Sequence, residues 1–153
     1  MPNFVLDTGI VLGYLKKALY AEEIEETLKP FEHPNTPLIC IVTHGEILSI
    51  ALQRQWLAPR KATLEDLLSK IPSINISHWG VLDSYAEIDA FSQGKFQSKS
   101  LPAGLSSRNM GKNDLWIAAV THQTKATLLT TDKDFDHLNG IYFPVKWYDP
   151  NRK

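Results

Sequence analysis

Residues 113–135 read Asn113-Asp114-Leu115-Trp116-Ile117-Ala118-Ala119-Val120-Thr121-His122-Gln123-Thr124-Lys125-Ala126-Thr127-Leu128-Leu129-Thr130-Thr131-Asp132-Lys133-Asp134-Phe135. From Asp114 to Thr124 apolar residues recur at helical spacing. From Ala126 to Thr131 the run is short, apolar and branched, as a strand requires. An acid, Asp114, opens the helix and another, Asp132, ends the strand. A helix followed by such a strand is the second half of an α/β unit. In open α/β sheets ligands bind outside the carboxyl ends of the strands, so both acids lie at element ends where chemistry is expected. The chain also begins with a strand that ends on an acid, Phe4-Val5-Leu6-Asp7. Acids from distant parts of the sequence are therefore expected to meet at one sheet edge.

Working outward, the remaining segments fit the same frame. Ile10 to Leu15 has helical spacing, and Glu22 to Leu28 continues as a charged, exposed helix. Leu38 to Val42 is continuously apolar, as in a buried parallel strand. Glu46 to Leu57 returns to a helical period. Pro59 opens another helix, which Pro72 ends; Ile74 to Ile76 forms a short strand, and Trp79 to Phe91 a further helix. Residues 92–112 are rich in Gly, Ser, Lys and Gln and read as a loop. Ile141 to Trp147 is a last strand, which Pro144 confines to an edge. The alternation predicts an α/β fold with a mostly parallel sheet. No internal repeat or linker divides the 153 residues, so a single domain over residues 1–153 is expected.

Composition excludes several classes. Hydrophobic content of 43% and charged content of 22% suit a globular domain. The net charge of −1 gives no bulk basicity, so nucleic-acid binding would need a local patch. The single cysteine, Cys40, lies in an apolar run and reads as a core residue; no intrachain disulfide can form. The first residues lack a positive leader, Asp7 interrupts their apolar run, and no stretch approaches the ~20 apolar residues of a membrane helix. A cytoplasmic protein without membrane contact is expected.

Each acid has a purely structural reading beside the functional one. Asp7 can cap the helix that follows it. Thr43-His44-Gly45-Glu46 fits a capping box, with Thr43 as cap and Glu46 reaching back. Asp114 stands in a first helical turn, where a carboxylate favours the dipole, and Asn113 or Asp114 can be the cap. Asp132, Asp134 and Asp136 can form a solvated turn. Taken together, the acids fall where a parallel sheet gathers them, and clustered carboxylates repel unless a cation is present. The donors are all oxygens, which selects Mg²⁺ or Mn²⁺ over zinc. Such ions reach for phosphate oxygens, so metal-assisted phosphodiester hydrolysis is the implied chemistry.

Four segments in order resemble the PIN domain family, in particular the VapC-type ribonuclease toxins of toxin–antitoxin modules: Val5-Leu6-Asp7-Thr8, Thr43-His44-Gly45-Glu46, Asn113-Asp114-Leu115-Trp116-Ile117-Ala118-Ala119 and Leu129-Thr130-Thr131-Asp132-Lys133-Asp134-Phe135. They span almost the whole chain. The resemblance implies a three-layer α/β/α sandwich and an Mg²⁺- or Mn²⁺-dependent endoribonuclease. By motif position Asp7, Glu46, Asp114 and Asp132 are its catalytic acidic quartet. Asp7 and Asp114 are the main metal ligands; Glu46 and Asp132 hold a second ion or position the water. Asp136 is a further candidate ligand. Thr8 and Asn113 would orient the carboxylates. A small antitoxin partner and a homodimer are also implied, the latter in keeping with the frequency of twofold dimers. Trp56 and Trp79 are candidate contributors to a dimer contact, with core packing as the competing role.

The chain departs from the family pattern in two places. Gly9 stands where the family usually has Asn, and residues 92–112 are longer than usual. That loop carries Lys95, Lys99, Arg108 and Lys112, candidate contacts for RNA phosphates. Asp7-Thr8-Gly9 also resembles the triplet of aspartic proteases, but those are all-β, whereas a helical period follows here. The competing functional class is a PIN-like module that binds RNA or protein without catalysis.

Overall fold

The structure is a computed structural model that describes residues 2–78 and 80–152. Five strands and six helices follow in the order β1 (Asn3–Leu6), α1 (Thr8–Leu15), α2 (Leu19–Thr27), β2 (Thr36–Cys40), α3 (Ile41–Gln53), α4 (Ala58–Ser69), β3 (Ser73–Ile74), α5 (Val81–Ser92), α6 (Lys112–Gln123), β4 (Thr127–Thr130) and β5 (Val145–Trp147). A short 3-10 helix, Lys133–Leu138, lies between β4 and β5. The sheet order is β3-β2-β1-β4-β5, and every pairing is parallel. The expected α/β/α sandwich is therefore present, with a sheet that is parallel throughout the described residues.

Two-residue periodicity explains the three layers. Successive side chains of a strand point to opposite faces. Phe4 and Leu6 of β1, Ile39 of β2 and Leu129 of β4 pack on one face with Ile10, Ile24, Ile47 and Leu64. Val5, Leu38, Cys40 and Leu128 pack on the other with Ile88, Phe91, Ile117 and Phe135. Both faces are covered, which is why these strands read as unbroken apolar runs. Each buried Leu or Ile stabilises the fold by roughly 2 kcal/mol. Cys40 and Trp56 are core residues, so Trp56 makes no exposed patch. Trp79, the other aromatic considered for a dimer contact, lies outside the described residues.

Several element bounds differ from the sequence reading. The expected capping box does not form: α3 starts at Ile41, with Cys40 in extended conformation as its cap. Thr43 is then inside the helix, where its hydroxyl is buried without a hydrogen-bond partner. Neither Asn113 nor Asp114 caps α6; Gly111 does, without a side-chain bond. The charged helix is separate from the first, because Lys17 turns the chain with φ 56°. The last strand shortens to Val145–Trp147, and residues 141–143 approach it as turn and bridge.

The helix that follows Asp7 carries an unusual close contact. Tyr20 of α2 lies over Gly13, and its hydroxyl donates to the Gly9 carbonyl at 2.9 Å. A β-carbon at Gly13 would overlap the Tyr20 ring. Gly9 itself is filled by the Thr131 side chain, so the side chain missing there is replaced by one from the end of β4. The turn bearing Asp7 is thereby held.

Candidate metal centre at the sheet edge

β1 and β4 are neighbours at the point where strand order reverses, with β2 and β3 on one side and β5 on the other. That reversal opens a crevice at the carboxyl edge. Asp7 leaves β1 there, its N–H donating to the Leu129 carbonyl at 3.1 Å. Its carboxylate is fixed from two directions. Oδ1 accepts from the Gly9 N–H at 2.9 Å and the Ile10 N–H at 3.4 Å, and Oδ2 accepts from the Thr130 hydroxyl. Asp7 is thus a helix cap and a buried carboxylate at once. Burial raises its pKa to about 6, against the lowering effect of those bonds.

Asp114 stands in the first turn of α6. Asp132 caps the 3-10 helix and accepts from the Asp134 N–H at 2.9 Å, an Asx turn that folds Asp134 back to the edge. Asp114, Asp132 and Asp134 each offer a carboxylate oxygen, all within 4.8 Å of one another. Burial is the first cause that pushes the Asp114 pKa up to about 7, followed by the negative charges of Asp132, Asp134, Asp7 and Glu46. Four carboxylates therefore act on one group. Glu46, half-buried on α3, is also raised by burial, while Thr8 and Asn113 beside it pull the other way.

The donor set suits a hard divalent cation. It is all oxygen, its members repel one another, and the Glu46 Oε1 and Thr8 Oγ1 atoms are buried without a hydrogen-bond partner. Asp7, Glu46, Asp114, Asp132 and Asp134 are the residues that could hold it. Asp134 was not among the sequence-derived candidates, although it belongs to the same acidic run. Asp134 and Asp136 flank the fully buried Phe135 and are both exposed; the Asx turn at Asp132 brings Asp134 into the triad, and Asp136 stays outside it.

Of the four cationic residues of the loop between α5 and α6, Arg108 shares a cavity with an acid of this edge. Arg108 lines a cavity with Asp134, while Lys95 lines a different one with Phe96 and Leu101. Lys99 sits 4.0 Å from Glu87 and over the Tyr142 ring. Lys112 is the exposed first residue of α6.

The PIN domain family matches residues 4–141. No curated protein matches the sequence. Among solved structures, the chain resembles a chain of the VapBC2 complex of Rickettsia felis, bound to a DNA fragment from its promoter. The identity is 20% over 96% of this chain and 99% of that one, with a TM-score of 0.73. It also resembles a chain of VapBC-1 from nontypeable Haemophilus influenzae, 21% identical over 95% and 97% of the two chains, TM-score 0.70. A third is a chain of VapBC-5, a toxin–antitoxin system of Mycobacterium tuberculosis, 21% identical over 97% and 100%, TM-score 0.58.

Proposed function

The chain belongs to the PIN domain family, and from that premise we propose that it is a divalent-metal-dependent endoribonuclease acting as the toxin of a toxin–antitoxin module. The observation that carries the reading is the gathering of Asp7, Glu46, Asp114, Asp132 and Asp134 at the switch point of a parallel sheet, with Asp114 driven to about 7 by burial and like charge. Such repulsion is a standing cost that a bound cation would relieve.

The proposed roles follow from the local contacts. Asp7, locked by two N–H groups and the Thr130 hydroxyl, presents one fixed ligand geometry. Asp114, Asp132 and Asp134 supply oxygens close to one another, and Glu46, on α3, would bind a second ion or align water. Mg²⁺ or Mn²⁺ held there would activate water and neutralise the phosphate charge for in-line displacement. Thr8 and Asn113, beside Glu46, are the residues proposed to orient the carboxylates once a cation is bound.

The assembly part of the proposal rests on the solved relatives, which are toxin–antitoxin complexes. A groove of about 600 Å³ between α3 and α4, lined by Leu48, Leu52, Leu64 and Leu68, supports a protein partner as well. A small antitoxin and a second copy of the chain are the two partners proposed. Among the described residues no helix is long and apolar enough to cross a membrane; a cytoplasmic site of action is part of the proposal.

The test is expression in a bacterial host together with RNA cleavage by the purified protein. Growth arrest and Mn²⁺-dependent cleavage, both lost in Asp114→Asn, are expected. A protein that binds RNA and leaves it intact under Mn²⁺ would favour the non-catalytic module instead.

A further inference from the structure

We propose that the cavity shared by Arg108 and Asp134 is the RNA-gripping subsite of this domain, where the Arg108 guanidinium holds the phosphate next to the one that is cut. The proposal rests on the nuclease reading for the position of the cut, and on its own geometry for the grip.

Arg108 is set apart from the other cations of its loop by the cavity it shares with an acid of the cluster. Lys99 is engaged with Glu87 and Tyr142. Arg108 is half-buried, yet among the described residues it makes no ion pair and its guanidinium donates no hydrogen bond. A guanidinium carries five donors in a planar fork that matches phosphate oxygens. Leaving that fork unpaired beside carboxylates keeps it open for an incoming group. Its charge reaches the cluster all the same: Arg108 opposes the burial that raises Asp134 and adds to the burial that lowers His137 to about 4.

The space between them fits one nucleotide unit. The cavity has a volume of about 350 Å³, near the lower end of small-molecule sites. Its walls include Ser106, Ser107, Arg108, Asn109, Gly111 and Asp134. The hydroxyls and the amide can bond non-bridging phosphate oxygens and a ribose hydroxyl. The cavity is lined by a cation, Arg108, and by an acid, Asp134, that also belongs to the carboxylate triad. An extended strand lying across it would place one phosphate at the carboxylates and its neighbour at Arg108.

The backbone that carries the fork is held from behind. The Arg108 N–H donates to the Ser92 carbonyl at 2.7 Å. The Ser92 hydroxyl bonds His137 Nε2 at 2.7 Å and contacts the sulfur of buried Met110 at 3.4 Å. His137 belongs to the 3-10 helix that carries Asp134. Ser92 and His137 are thus positioning residues that tie the base of the loop to the same helix as the acid. Gripping through a tethered arginine loses less entropy on binding than gripping through a free loop.

The test measures binding without metal. Proteins carrying Asp114→Asn are titrated in EDTA against a short fluorescein-labelled single-stranded RNA, followed by anisotropy over a range of salt. Arg108→Gln is expected to weaken binding about tenfold, the scale of one charge-assisted contact. It should also lower the salt slope by about 0.7, the value for one phosphate on a single strand. Arg108→Lys should keep the slope and lose part of the affinity. Lys125→Gln, the same charge change at the opposite end of α6, should alter neither. With the Asp114 carboxylate restored and Mn²⁺ present, Arg108→Gln should raise KM and leave kcat nearly unchanged, as expected for a contact made equally in ground and transition states.

Equal effects of Arg108→Gln and Lys125→Gln would reduce the contribution to bulk charge and overturn the subsite. So would an acidic peptide that displaces RNA from the wild type in an Arg108-dependent way while KM for RNA ignores Arg108, since the cavity would then serve a protein carboxylate. Arg108-dependent RNA binding without Mn²⁺-dependent cleavage would remove the nuclease reading and keep the grip. Cleavage with an unchanged KM in Arg108→Gln would do the reverse. An RNA that the wild type neither binds nor cuts removes both.

Discussion

Replacing Asp114 by Asn should stabilise the metal-free protein, and the size of the gain can be worked from the site. The Asp114 pKa lies at about 7 against an ordinary 3.8, first through burial and then through the charges of Asp132, Asp134, Asp7 and Glu46. The folded state therefore binds this proton more tightly than the unfolded state. Below about pH 4 both states are protonated and nothing is lost. As pH rises through the interval up to about 7, the folded state loses stability relative to the unfolded one. At ~1.4 kcal/mol per pH unit the full displacement is worth roughly 4 kcal/mol. Solvent screening at this half-buried position reduces it to about 2 kcal/mol. Asparagine keeps the shape and removes the charge. The side chain of Asp114 accepts no hydrogen bond among the described residues, so none is sacrificed. The lost favourable term with the dipole of α6 is about 0.5 kcal/mol. Urea denaturation in EDTA should therefore show Asp114→Asn more stable by roughly 1–2 kcal/mol at about pH 8, with the difference gone near pH 4. A variant less stable than wild type at the higher pH, or a gain that does not depend on pH, would refute the reasoning.

Other outcomes follow from the same contacts. Mn²⁺ affinity measured by calorimetry should fall as pH drops below about 7, because Asp114 and then Asp7, at about 6, must lose their protons before they bind; a flat profile would contradict this. Thr43→Val should be neutral or stabilising by up to ~1 kcal/mol, since the buried hydroxyl has no partner. A loss of that size in urea melts would mean the hydroxyl caps the helix after all. Gly13→Ala should destabilise by about 1–3 kcal/mol because the new methyl meets the Tyr20 ring. Alanine in a helix ordinarily stabilises relative to glycine, so the sign itself is the test.

The strands and most of the acids could be read from the sequence because both signals are local. Phe4 to Leu6 and Thr127 to Thr130 announce buried strands by composition, and an acid at a strand's end announces its own position. The parallel sheet then does the gathering. The start of α3 could not be read in this way. Thr43 and Glu46 have the spacing of a capping box, but β2 ends at Cys40 and the chain turns helical at once, so the motif falls inside the helix. Choosing Asp134 over Asp136 needs the Asx turn at Asp132, which folds Asp134 toward Asp114 of another element and so shows only in the folded chain. The composition of residues 92–112 marks a loop, yet its anchoring depends on Ser92 meeting His137, 45 residues away. Contacts of that range leave no periodicity to read.

The central claim is that these carboxylates exist to hold a hard cation. Loss of the free Mn²⁺ signal in electron paramagnetic resonance, titrated against the protein, measures this without reference to any substrate. The wild type should sequester Mn²⁺, Asp114→Asn and Asp132→Asn should bind it far more weakly, and Asp136→Asn should behave as wild type. Binding that survives Asp114→Asn and Asp132→Asn together, or a wild type that leaves the Mn²⁺ signal unchanged, would contradict it.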